Sequence, residues 1–158
     1  MKKVVLTLVF LSTLSFFSPH VKADISIQAC DDRQSIVQKT EEKFKMEHQI
    51  VIGKYNRVIQ NIIKSSERLA ELGYDTSVIS PNLENLKNLV MDYNTKYLDF
   101  DNSFVALKQT VCTDSAPVSI KKLQTGLKVM TDKSMEILDF FRNNLKTSLD
   151  LMKGKKNS

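Results

Sequence analysis

The sequence predicts an all-α fold: an up-down-up antiparallel three-helix bundle with coiled-coil-like seams and one disulfide. Three observations predict it. Apolar residues recur at alternating spacings of three and four through most of the chain, the signature of one helical face. Only four Gly and three Pro occur in 158 residues, and turn chemistry gathers near residues 73–81 and 112–117, so the elements are few and long. The two cysteines, Cys30 and Cys112, bracket the first two helical patterns.

The first 23 residues read as a secretory signal. Lys2 and Lys3 form a basic start, Val4 to Phe17 is an apolar run broken only by Thr and Ser, and Val21-Lys22-Ala23 offers a cleavage site. A retained membrane anchor would need roughly 20 apolar residues, and this run falls short. A lipid attached to Cys30 through Ile27-Gln28-Ala29-Cys30 is a further alternative, and it would leave Cys112 without a partner. Cleavage after Ala23 removes three lysines and no acid, leaving 20 bases against 18 acids. Lys153, Lys155 and Lys156 lie in the polar tail at 153–158, which is expected to be disordered. The body is therefore nearly neutral, and the high overall pI is no argument for nucleic-acid binding.

Helix one is expected over about 32–72. His48, Val51, Tyr55, Val58, Ile62, Ser65, Leu69 and Leu72 form its seam, with Val37 and Phe44 extending it backward. Ile52, Ile59 and Ile63 widen the apolar face. Asp31 and Asp32 would complement the helix dipole at the start, and Gly73 would cap the end. Helix two is expected over about 81–111. Ile79, Leu83, Leu86, Val90, Tyr93, Tyr97, Phe100, Phe104, Leu107 and Val111 hold one seam without interruption. Ser80 and Pro81 suit the cap and first helical position. Helix three is expected over about 116–152, behind Ser115 and Pro117. Its seam runs through Ile120, Leu123, Leu127, Met130, Ser134, Ile137 and Phe141, then shifts through Leu138, Leu145, Leu149 and Met152.

Helices this long span roughly 46–62 Å, and the short loops between them make sequence neighbours antiparallel. Cys30, just before helix one, then lies at the same end as Cys112, just after helix two. An exported chain with two cysteines so placed is expected to join them.

Chemistry is sparse. His48 is the one histidine downstream of the signal, and it sits on the seam, where a histidine bonded across the bundle is the expected reading. No second histidine is there to build a zinc site, and Met46, Met91 and Met130 read as core filling rather than haem ligands. Asp31-Asp32, Glu41-Glu42 and Asp99/Asp101 read as solvated charge. No phosphate loop or nucleophile motif is present. Catalytic residues, metals and cofactors are accordingly not expected. Tyr55, Tyr93 and Tyr97 either line a ligand pocket or complete the core. The row Met91, Leu98, Val105 either serves a helix with two neighbours or meets another chain, and Phe140 is a candidate partner contact.

One stretch is more specific. Arg57-Val58-Ile59-Gln60-Asn61-Ile62-Ile63, then Glu67-Arg68-Leu69-Ala70-Glu71-Leu72-Gly73-Tyr74-Asp75-Thr76-Ser77, then the heptads ending Val111-Cys112-Thr113-Asp114, resembles small exported helical proteins common in candidate-phyla-radiation bacteria. The resemblance covers about residues 55–150 and implies no activity. Pro81 departs from its pattern and is expected to delay helix two.

The expected protein is thus non-enzymatic and exported to the periplasm, cell surface or extracellular space. It would serve a structural or protein-interaction role with a protein partner at the cell envelope, without nucleic acid and without stable membrane insertion after cleavage. A periplasmic chaperone-like or apolar-ligand-binding module is the alternative. The oligomeric state is left open.

Overall fold

The computed structural model describes residues 27–154; the signal-like segment at 1–23 and residues 155–158 of the expected tail lie outside the described residues, while 153 and 154 of that tail continue the last helix. Helix α1 (Ile27–Glu71), α2 (Ile79–Thr110) and α3 (Ala116–Phe140) form the bundle. A π-helical turn, Phe141–Leu145, carries α3 without a break into α4 (Lys146–Gly154). The fold is the predicted three-helix bundle.

Cross-helix bonds fix the direction of each rod. From α1 to α2 they run Glu41–Lys108, Lys45–Asp101 and His48–Asn94, so partner numbers fall as α1 advances. From α2 to the third rod they run Thr110–Ser119, Asp92–Lys133 and Asn82–Ser148. Both pairs are antiparallel. Helix α2 is central and packs closely on both neighbours, while α1 and α3 stand further apart. The Tyr55 and Ser134 hydroxyls, 3.0 Å apart, bridge that wider gap.

The α2 seam forms as predicted. Nine of its ten residues are buried, and Leu83 is half-buried. The α1 seam does so only in part. Val37 and Ile62 are buried, and Phe44, Val51, Tyr55 and Val58 are half-buried, but Ser65 and Leu72 are exposed. Leu69 packs on the core as predicted, and Ile59 and Ser66 turn inward in place of their seam neighbours. A helix of 3.6 residues per turn drifts ~20° per heptad against a strict 3.5 row, and 45 residues give that drift room.

Helix starts depart from the predicted caps. Helix α1 begins at Ile27, so Cys30 lies within its first turn and Asp31 and Asp32 fall beyond it, exposed. Helix α2 begins at Ile79, two residues before Pro81, and Ser80 is not its cap. Ile79 is 1% exposed, so burial draws it into the helix. Pro81 sits in the first turn, where its missing N–H would have had no helical acceptor. It therefore delays nothing. The Ser77 amide donates to Asp75 Oδ1 at 2.9 Å and the Ile79 amide to the Thr76 carbonyl, which sets up the start. Ser115 does stand at the head of α3, but its hydroxyl makes no capping bond. Gly73 behaves as predicted, with φ +83°. Tyr74 N–H donates to the Leu69 carbonyl and Gly73 N–H to Ala70, the Schellman closure of a helix end.

The π turn accounts for the seam shift in the third rod. Its deeply buried row is Leu123, Met130, Ile137 and Leu145: two steps of seven, then one of eight. An eighth residue in an unbroken α-helix would leave the seam by ~80°. The wider π turn absorbs it and returns Leu145 to the core at 0% exposure.

Cys30 and Cys112 are bonded, with Cα atoms 5.5 Å apart. Among the described residues no helix is long and apolar enough to cross a membrane.

Candidate functional site

The α1–α2 interface concentrates the chemistry-bearing side chains. The alternating seam brings His48 and Tyr55 from α1 against Tyr93 and Tyr97 from α2. The His48 ring lies flat on Tyr97, with centroids 3.5 Å apart and planes 5° from parallel. Tyr93 flanks His48 at 5.6 Å, and Tyr55 meets Tyr93 edge-on at 5.8 Å. The stack continues through Tyr97 to Phe100, Phe44 and Phe104. All four predicted residues are therefore brought together, and their rings touch one another instead of standing back around a ligand. They complete the core.

The polar edges of this stack are closed inward. His48 Nε2 lies 3.0 Å from Asn94 Oδ1, the predicted bond across the bundle. In the tautomer that donates there, Nδ1 is a buried acceptor, and it has no hydrogen-bond partner. Protonating it would place a buried donor and charge without an acceptor. Burial accordingly pushes the imidazole below its ordinary pKa, against the opposing pull of Asn94 and of the Asp101 charge. Tyr93 is raised to about 12, chiefly by burial. Tyr97 is also raised to about 12, by burial and then by the Asp101 carboxylate, although its hydroxyl stays outside hydrogen-bonding geometry with that group. Burial thus favours the uncharged forms of His48, Tyr93 and Tyr97.

An ion cluster sits one turn away. Glu41 is 4% exposed and accepts from Lys108 at 2.7 Å and Lys45 at 2.8 Å. Lys45 also lies 3.7 Å from Asp101. Burial raises the Glu41 carboxyl, but the two lysines outweigh it and hold the group below the usual carboxylate range. This corrects the reading of Glu41 and Asp101 as solvated charge. Glu41 stands on the seam between Val37 and Phe44, where a heptad expects an apolar residue. It pins α1 to α2, and the lysines, both more than a third exposed, carry the charge out to solvent.

The outer surface differs from what the sequence suggested. Phe140 is half-buried and packs on the core, bordering a shallow depression with Asn85, Asn88, Leu89 and Glu136. Of the extra isoleucines, Ile59 is buried, and Ile52 and Ile63 pack on the core, as a helix with two neighbours requires. The row Met91, Leu98, Val105 is neither buried nor packed on the core. Its members are 65%, 55% and 45% exposed along the outside of α2. That row is the largest ordered set of apolar side chains given to solvent on α2.

Comparison with protein-family models, curated proteins and solved structures finds no match.

Proposed function

We propose that this chain is an exported helical-bundle protein that acts at the cell envelope by holding a protein partner, without turning over a substrate. The observation that carries this reading is the division of α2 into two faces. One is spent on packing, with Tyr93 and Tyr97 closed against His48 and Tyr55 of α1. The other presents Met91, Leu98 and Val105 to water at intervals of seven. Aligned exposed apolar residues mark interaction surfaces when they are not scattered singly. The signal-like start and the Cys30–Cys112 bond support export, since such bonds persist in oxidising compartments. The Gly73 to Ser77 turn supports kinship with the small exported helical proteins it resembles.

A photo-crosslinking residue at position 98 tests the reading in intact envelopes. A discrete protein adduct is expected there, and none from position 125 on the exposed face of α3. Equal labelling from both positions, or none from either, would sink it. A smear of many clients at position 98 would favour the chaperone-like alternative.

A further inference from the structure

We infer that the partner on the outer face of α2 is a second copy of this chain, docked parallel and in register. The inference rests on the partner-binding reading above and names the partner. The apolar row is half of a second seam. Asn88, Met91, Thr95, Leu98, Asn102, Val105 and Gln109 alternate spacings of three and four over roughly 32 Å of helix. All seven are exposed, and none is charged. Seven positions in a chain that is 26% charged would carry about two charges on average. In heptad terms, Met, Leu and Val hold one core position, and Asn, Thr, Asn and Gln hold the other. The Thr95 hydroxyl donates to the Met91 carbonyl at 3.1 Å, so its methyl group can serve the seam without an unsatisfied polar group.

This pattern selects both partner and direction. In a parallel in-register pair, like layers meet: Met91, Leu98 and Val105 each face their own copies, and Asn88 and Asn102 bond to theirs. Buried asparagine pairs of this kind fix register. In an antiparallel pair, each apolar layer would face a polar one. The flanking charges agree. Parallel packing sets each flank residue against the partner residue five further along, which pairs Lys87 with Asp92 and Asn94 with Asp99. Antiparallel packing would set the Asp92/Asp99 edge against itself. Asp92 already accepts from Lys133 at 2.8 Å, and its side chain remains 39% exposed, so it can take a second cation. Three apolar layers make an interface well short of the roughly 2,000 Å² or more of a permanent dimer, so the pair is a reversible one.

Sedimentation equilibrium of the chain from residue 24, disulfide intact, from about 5 to about 500 µM tests this. The mass is expected to rise toward twice the monomer. Leu98→Lys should weaken the dimer about tenfold or more, and Lys87→Glu by less. Val118→Lys, at an exposed apolar position on α3, should change nothing. Met91→Cys should crosslink to itself through a short bismaleimide, which only the parallel arrangement allows. Circular dichroism melts of each variant separate lost docking from lost folding. A monomer throughout the range, a dimer indifferent to Leu98→Lys in a folded variant, or a dimer without the Met91→Cys crosslink would overturn the inference. A monomer whose position-98 adduct in envelopes contains a different protein would overturn the self-pairing alone. A monomer with no such adduct would overturn the partner-binding reading as well.

Discussion

His48 and Glu41 show how side chains can be legible and illegible on the same helix. The seam spacing placed His48 against α2, and a lone seam histidine needs a partner across the bundle, so its environment could be read without coordinates. Glu41 could not. A charged residue in a heptad reads as surface, and its deciding partner, Lys108, lies 67 positions away. The two groups also respond differently to acid. His48 is held below its ordinary value of 6.5, so the unfolded chain binds its proton more readily than the folded one. Its contribution to stability is full above about pH 6.5 and falls as the pH drops below it. Melting temperature is expected to decline from about pH 7.5 to about 5.5, and His48→Phe, which keeps a ring on Tyr97, should flatten that decline. Glu41 is depressed from 4.5, so its loss belongs to a lower window, as pH falls through its folded value. Two glycines give a second residue-level contrast. A methyl group at Gly126 would lie 3.0 Å from Phe100 Cδ2, and that ring is locked against Phe44 and Phe104. Gly126→Ala is expected to destabilise by about 1–2 kcal/mol despite the better helix propensity. Gly53 has nothing within 4 Å of such a methyl group, and Gly53→Ala should stabilise by about 0.5–1 kcal/mol. Chemical denaturation of both variants checks the pair.

Among the elements, α2 was the most readable because its alternation never breaks. It starts ahead of the serine–proline pair that resembles a cap, because burying Ile79 outweighs that local signal. The third rod was readable as one helix with a shift, but not as a π turn, because spacing alone does not show how the backbone absorbs an extra residue. The turn makes a direct prediction. Arg142, Asn143 and Asn144 are exposed, and removing one of them restores steps of seven from Ile137 to Leu145. Deleting Asn143 should convert the turn to α-helix and keep a cooperative melt, at a loss below about 2 kcal/mol. Deleting Asp132 gives the seam no such relief. It turns everything downstream by ~100° and should abolish cooperative unfolding. Thermal melts followed by circular dichroism distinguish the two.

At the scale of the molecule, the topology was legible because two independent signals agreed: helix lengths set the antiparallel order, and the cysteines required it. The wider spacing between α1 and α3 was not legible, since periodicity shows how much of a helix is buried and not how closely each neighbour approaches. The disulfide closes a loop between residues 82 apart, and its reduction is expected to lower stability by about 4–5 kcal/mol in the chain-entropy model. Denaturant titration with and without reductant measures this, and intact mass should fall by about two hydrogens in the unreduced protein. The same bond also decides how the molecule carries a load. Pulled between residues 27 and 154, tension passes from Cys30 directly to Cys112, and the whole α1–α2 hairpin is bypassed. Only the segment beyond Cys112 can be drawn out, from a helical rod of about 60 Å to an extended chain of roughly 140 Å at about 3.4 Å per residue. The face of α2 that presents Leu98 would keep its shape under a stretch that strips the third rod away.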